Sequence, residues 1–145
     1  MKRQISFRIE KEDVLTEQQL ADLLSNFFGI RFGFDQWEVE KDELYESAAE
    51  ELTGERLAEG SDEEICLEEV LARMLFNGGA ICLLEADTED EWHVIDLNKI
   101  INGLKLYFKN PVGDLNSVQE IVEQGDALDA DAVFQCAAYG EIIYG

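Results

Sequence analysis

The first thirty residues change from a two-residue to a helical hydrophobic period. Between Gln4 and Glu10, apolar and polar residues alternate, which is typical of a strand with one buried face. Thr16 and Gln19 then have the spacing of a capping box, in which two side chains bond the backbone at a helix start. Leucine and phenylalanine residues follow at helical spacing until Gly29. This segment therefore predicts a strand followed by an amphipathic helix.

Residues 42–52 predict an acidic helix. Their apolar side chains share one helical face, which is the pattern of a helix with one buried side. The opposite face carries Glu43, Glu46 and Glu50, one helical turn apart. We expect the helix to end at Gly54, because glycine readily adopts the left-handed conformation that often follows the last helical turn.

A second acidic helix is predicted to begin at Ser61. Ser61 and Glu64 repeat the capping-box spacing, and an apolar stripe at helical spacing follows as far as Gly78. The first turn of this helix would hold Asp62, Glu63 and Glu64. The partial positive charge at a helix N-terminus favours carboxylates there, so part of the acidity has a local structural explanation.

Residues 80–96 predict a β-hairpin with an acidic tip. The first strand is apolar on both faces, and "DTED" supplies the turn. A symmetric turn would place Leu84 opposite His93 and Cys82 opposite Ile95. Cys82 and His93 would then lie diagonally on one face of the hairpin. A shift of the pairing by one residue would send them to opposite faces.

The remaining segments complete the predicted fold class. Gly33 interrupts the apolar pattern of residues 30–41, which stay ambiguous. Three helices are predicted after the hairpin, the last of them capped by Asp129 or Asp131. The closing "EIIYG" is either a strand or a free tail. Because strands and helices mix without βαβ alternation, we expect an α+β fold. A small antiparallel sheet that includes the hairpin would pack with about five helices in a single domain, residues 1–145.

The charge of the chain limits its partners. It has 145 residues, of which 33 are acidic and 11 basic, giving a net charge of −22. Such a chain is repelled by nucleic acid phosphates and by anionic membranes, so we expect a basic protein as partner, with no direct nucleic acid or membrane binding. Its 46% of hydrophobic residues suffices for a core. No run of about 18 apolar residues and no signal peptide is present, which predicts a cytoplasmic protein.

The acidic stretch of residues 83–96 contains the only histidine and is a candidate metal site. A calcium loop of the EF-hand type would need glycine where Trp92 stands and glutamate where Asn98 stands. Weak calcium binding by the carboxylates of residues 85–91 stays open. His93 lacks a second histidine or a nearby cysteine at zinc-ligand spacing. The sequence therefore predicts no metal site and no cofactor.

Cys82 and His93 are the alternative chemical candidates. On one face of the hairpin they could form a nucleophile and base pair. The simpler interpretation makes Cys82 a core residue, with the hairpin tip solvated and with Trp92 and Val94 packed into the core. The three cysteines are widely spaced and odd in number, which favours reduced thiols.

The second half of the chain resembles a group of proteins. The segments "VLARMLFNGGAICLLEADTEDEWHVIDLNKIINGLKLYF" and "DADAVFQCAAYGEIIYG" are similar to small acidic bacterial proteins that are often carried with mobile elements. In those, a helix ends at a Gly-Gly pair, an acidic hairpin and an amphipathic helix follow, and an aspartate-rich cap precedes a Gly-Glu-Ile tail. The resemblance covers about residues 67–145 and implies no activity or residue role, because the group has no assigned function.

The function expected from these features is non-enzymatic binding of a basic protein surface, with imitation of the phosphate array of DNA as its more specific form. Two alternatives remain: a small enzyme or ligand-binding domain using Cys82 and His93, and a self-associating structural protein. The candidate partner-binding residues are Glu43, Glu46, Glu50, Glu63, Glu64, Glu68, Asp87, Glu89 and Asp90.

Overall fold

The computed structural model describes residues 3–8, 12–29, 32–110 and 113–145. The fold is α+β, which confirms the predicted class, and its two sheets are antiparallel. Its strands are β1 (Gln4–Arg8), β2 (Glu12–Thr16), β3 (Phe34–Val39), β4 (Ala80–Glu85) and β5 (Trp92–Asp96). Its helices are α1 (Glu17–Phe27), α2 (Asp42–Ala58), α3 (Leu67–Phe76), α4 (Leu97–Lys109), α5 (Val118–Gln124) and α6 (Ala127–Tyr139).

The described part of the chain begins with a two-stranded sheet that leads directly into a helix. β1 confirms the alternating segment, whose residues 9 and 10 lie outside the described residues. β2 pairs with it but has no clear sequence signal, since its five residues do not alternate cleanly. Thr16 ends β2 and caps α1. Gln19 N donates to Thr16 Oγ1 at 3.1 Å, and Thr16 N donates to Gln19 Oε1 at 2.8 Å, which confirms the capping box.

The second sheet has the strand order β3-β4-β5. Its central strand, β4, is buried on both faces, as its continuous apolar run predicts. The hairpin of β4 and β5 confirms the prediction for residues 80–96. Its register, however, differs by one residue from the predicted one, because Cys82 faces Val94 and Leu83 faces His93.

The turn explains this register. Six residues connect β4 to β5, and a hydrogen bond from Glu85 N to Glu91 O, 2.8 Å long, closes the connection. Within it, Asp87 takes a left-handed backbone conformation, with φ at 61°. Turn geometry sets the pairing of a hairpin, so this conformation decides which side chains share a face.

The two faces of the three-stranded sheet have different surroundings. On the inner face, Trp37 contacts Phe28 at the end of α1, and His93 contacts Tyr139 of α6, with 4.9 Å between ring centroids in both pairs. Trp92 and Val94 point to the outer face and are 37% and 41% exposed. The prediction that they pack into the core is therefore wrong, and its cause is the one-residue difference in register.

α2 is longer than predicted. It passes through Gly54 and continues to Ala58, so the expected end at Gly54 is wrong. A Cβ atom at Gly54 would meet no other atom within 4 Å, which shows that this glycine serves neither a close contact nor a left-handed turn. The positive backbone angle after the helix belongs to Gly60, with φ at 72°.

α3 begins later than predicted. Its N-cap is Cys66, and Glu69 is the third helical residue, so the expected start at Ser61 is wrong. The hydroxyl of Ser61 accepts a hydrogen bond from Glu63 N instead, at 3.2 Å. The guanidinium of Arg56 donates to the carbonyl oxygens of Glu63 and Glu64, at 3.2 and 3.1 Å. These bonds hold the segment before α3 against α2 in a non-helical conformation.

The C-terminal helices pack closely. The Cα of Gly103 in α4 faces α6, where an added Cβ would lie 2.6 Å from the Val133 carbonyl oxygen. Asp126 caps α6, with Asp129 as the third residue of a capping box, so neither predicted cap is the N-cap residue. The "EIIYG" tail forms no strand. No helix among the described residues is long and apolar enough to cross a membrane.

Candidate functional site

Three predicted carboxylates form a row on α2. Glu43, Glu46 and Glu50 are all exposed, and their spacing of three and four residues puts them on one side of the helix. Neighbours at this spacing are about 5–6 Å apart, so the row extends over about 10 Å. Within the described residues, no lysine or arginine forms an ion pair with any of the three. The row is therefore a surface of uncompensated negative charge, which we call the α2 row.

The arginines nearest in the fold neutralise other carboxylates. Arg73 of α3 is buried and forms ion pairs with Glu17, Glu51 and Glu55, at 2.9, 3.1 and 2.5 Å. Its hydrogen bonds lower the pKa of Glu55 to about 2, against the desolvation that opposes this shift. The same carboxylates raise the pKa of Arg73 further above its usual range. The positive charge of Arg73 is therefore paired with Glu17, Glu51 and Glu55.

The other predicted carboxylates near α2 lie towards its C-terminal end. Glu63 and Glu64 are exposed in the segment that Arg56 holds, not in a first helical turn as predicted. Glu68 is half-buried in the first turn of α3, where the helix N-terminus favours its charge. Arg56 follows Glu50, the last residue of the α2 row, by six residues, which is about 9 Å of helix and more than the spacing within the row. These carboxylates therefore add negative charge near the C-terminal end of α2, but they are not part of the α2 row.

The hairpin tip is a separate acidic group. Asp87, Glu89 and Asp90 are exposed there, and Asp87 N donates to a carboxylate oxygen of Asp35 at 3.0 Å. β3 starts beside this tip and leads away to α2, a distance of about 17–20 Å along the strand. The nine predicted residues therefore do not form one continuous face. No group of three or more histidine, cysteine, aspartate or glutamate residues in the described ranges is arranged to hold a metal ion.

Cys82 and His93 do not form the predicted pair. The observed register puts Cys82 on the outer face and His93 on the inner face of the sheet. Burial, and then the charges of Glu38 and Glu40, raise the pKa of the Cys82 thiol, which disfavours the reactive thiolate. The nucleophile and base geometry that the sequence allowed is therefore absent between these two residues.

His93 instead belongs to a polar cluster that joins the hairpin to the C-terminal tail. Its Nε2 lies 3.0 Å from Glu85 Oε1, and the hydroxyl of Tyr144 donates to Glu85 Oε2 at 3.1 Å. The side-chain oxygen of Gln135, which is buried, accepts bonds from the backbone nitrogens of Ile143 and Tyr144, both at 2.9 Å. Sequence patterns give no sign of the contact between the hairpin and the tail, because Glu85 and Tyr144 are 59 positions apart.

A surface cleft of about 540 Å³ lies beside α2. Among the described residues its lining contains neither a histidine nor a cysteine, and its carboxylates Glu51 and Glu55 bond Arg73. The described lining of the cleft thus contains charged side chains, but it does not contain a nucleophile beside a general base. The lining residues that the structure describes are Arg3, Glu51, Gly54, Glu55, Ala58 and Arg73.

Comparison of this chain with protein families, with curated proteins and with solved structures finds no match.

Proposed function

We propose that this protein binds a basic surface of another protein through the α2 row. The observation that carries the proposal is the exposure of Glu43, Glu46 and Glu50 without ion-pair partners among the described residues. This holds although Arg56 lies on α2 itself and Arg3 and Arg73 lie beside the helix. Uncompensated surface carboxylates attract cationic surfaces and accelerate their association at low salt. A charge of −22 extends this attraction beyond the row itself.

The partner class that we propose is a nucleic-acid-binding protein. Along the α2 row the carboxylates follow one another at about 5–6 Å and form a regular array of negative charge, as the phosphates of a DNA strand do. The lysines and arginines that hold phosphates also pair with carboxylates. In this proposal the α2 row takes the place of a short stretch of phosphate backbone.

The experiment compares capture of host proteins by the native chain and by the triple variant Glu43→Gln, Glu46→Gln, Glu50→Gln. We expect the native chain to retain nucleic-acid-binding proteins at low salt and to release them when salt or duplex DNA is added. Binding of a purified captured protein should weaken about tenfold or more in the triple variant, because three charge-assisted contacts are lost.

A matched control removes the same amount of charge elsewhere. Asp114, Glu123 and Glu141 are exposed residues outside the α2 row. Changing them to Asn, Gln and Gln leaves the net charge equal to that of the triple variant. We expect this control to bind within about twofold of the native chain, since only distant charges change. Equal weakening in both variants would show that net charge, and not the α2 row, attracts the partner.

A further inference from the structure

The outer face of the three-stranded sheet has an apolar floor. Ala80, Cys82 and Leu84 of β4 point to this face, since they alternate with the inner-facing residues of the strand. Beside them on β5, Trp92 pairs with Leu84 and Val94 pairs with Cys82. Trp92 and Val94 keep more than a third of their surface in contact with solvent. Ala80, Cys82 and Leu84 are themselves buried, so Trp92 and Val94 are the exposed apolar side chains of this face.

Acidic side chains line one edge of this floor. Glu38 of β3 pairs with Cys82, and the backbone nitrogen of Glu40 bonds the Ala80 carbonyl oxygen at 3.0 Å. Both glutamates are exposed. Their charges contribute to the raised pKa of Cys82, which places them close to the floor. No lysine or arginine among the described residues forms an ion pair with either of them.

The helices of the protein cover the opposite face. The ring contacts between this sheet and the helices involve inner-face residues, which are Trp37 against Phe28, Phe34 against Tyr139, and His93 against Tyr139. A sheet with apolar side chains on its second face is usually covered by another layer. In the described part of the chain, Trp92 and Val94 have no such layer over them.

The dimensions of the outer face fit one helix. Three strands lie about 10 Å apart from first to last, which matches the diameter of an α-helix of about 10 Å. Three successive outward positions extend over about 13 Å, or two to three helical turns. An apolar stripe of a helix could cover Trp92 and Val94, and basic residues on one flank would then reach Glu38 and Glu40.

We propose that the outer face of the sheet is a docking site for a basic amphipathic helix of a partner protein. Apolar residues of that helix pack on Trp92 and Val94, and its lysines or arginines on one side pair with Glu38 and Glu40. The inference rests on the proposed function in one respect, since it also takes the partner to be basic. It differs in placing the specific contact on the sheet and not on the α2 row.

The test uses a designed peptide of leucine and lysine residues in an amphipathic helical pattern, with a fluorescent label, titrated with the full chain. A peptide of the same composition in scrambled order is the control probe. We expect the amphipathic peptide to bind at least about tenfold more tightly than the scrambled one, because only the first can present an apolar stripe. Equal binding of the two peptides would overturn the proposal, since it would show attraction by charge alone.

Variants of the full chain locate the contact. The double variant Trp92→Ser, Val94→Ser should raise the Kd of the amphipathic peptide about tenfold or more. Glu38→Gln with Glu40→Gln should raise it about threefold or more and reduce its salt dependence. The matched-charge control, Asp114→Asn with Glu123→Gln and Glu141→Gln, should stay within about twofold of the native chain, and the Glu43, Glu46 and Glu50 triple variant is titrated beside it. Circular dichroism and Tm check the fold of each variant. Val94→Lys adds a positive charge that repels a basic helix, so it gives a second test of the contact at Val94.

The outcomes separate this inference from the proposed function. Binding that depends on the α2 row, and not on Trp92 and Val94, would overturn the docking site and leave the proposed function intact. Failure of every basic peptide to bind at low salt would overturn both. If the native chain forms a dimer that the Trp92→Ser, Val94→Ser variant abolishes, the face is occupied by a second copy and the proposed partner is wrong.

Discussion

Arg73 and Glu17 form an ion pair inside the protein, with 2.9 Å between Nε and Oε1 and side chains that are only 4% and 5% exposed. Glu17 begins α1, and Arg73 lies in the last turn of α3. Through Glu51 and Glu55, the same guanidinium also bonds α2. One buried cation thus ties three helices together, and it fixes the side of α2 that faces the protein.

Removal of Arg73 should destabilise the fold strongly. We expect Arg73→Met to lower the free energy of unfolding by about 3–5 kcal/mol, because Glu17 would stay buried without a compensating charge. Urea unfolding measures the loss. The double variant Arg73→Met, Glu17→Met should recover a substantial part of it, since no buried charge is left unpaired. A single variant that loses less than about 1 kcal/mol would show that Glu17 finds solvent when Arg73 is gone.

The ion pair of Glu55 with Arg73 should make stability depend on pH. The pKa of Glu55 is about 2 in the folded chain and 4.5 for an unperturbed glutamate. A lowered pKa contributes stability that is fully present above about pH 4.5 and is lost as the pH falls towards 2. The difference in unfolding free energy between the native chain and Glu55→Gln should therefore shrink over that range. A difference that stays constant would contradict the lowered pKa.

Two glycines in helices should respond oppositely to alanine. Gly103→Ala should lower the unfolding free energy by about 1–3 kcal/mol, because its Cβ would lie 2.6 Å from the Val133 carbonyl oxygen. Gly54→Ala should raise it by about 0.5–1 kcal/mol, since the new Cβ meets nothing within 4 Å and alanine favours the helix. Thermal and urea unfolding of both variants measure these changes in unfolding free energy. If Gly103→Ala raised the unfolding free energy instead, α4 and α6 would be able to move apart without losing stability.

The cysteines should differ in reactivity. Cys66 is exposed, whereas Cys82 and Cys136 are buried. We expect iodoacetamide to modify only Cys66 in the native protein, more slowly than a free thiol, because desolvation and the nearby Glu69 raise its pKa. Mass spectrometry after digestion identifies the modified residue, and Cys66→Ser should take up no label until it unfolds. Rapid labelling of Cys82 in the native state would contradict its burial on the outer face.

Local signals in the sequence predicted a large part of the fold. The capping box of Thr16 and Gln19 and the apolar run of β4 needed only neighbours a few residues away, and both predictions are confirmed. The exposed carboxylates of the α2 row were equally visible, because helical period alone puts Glu43, Glu46 and Glu50 on one side. The prediction from local spacing was wrong at Ser61. Its hydroxyl accepts a hydrogen bond from the backbone nitrogen of Glu63 in a turn and does not cap a helix.

By itself, the sequence determined the fold class, the acidic character and the residues of the α2 row, because these follow from composition and from spacing within one or two helical turns. Tertiary structure decided the rest. The left-handed backbone at Asp87 shifted the hairpin register, which separated Cys82 from His93 and put Trp92 on an open face. Packing of three helices decided that Arg73 would neutralise Glu17 and Glu55. These contacts join residues that are 18 to 56 positions apart, and no local pattern records which of many carboxylates an arginine meets.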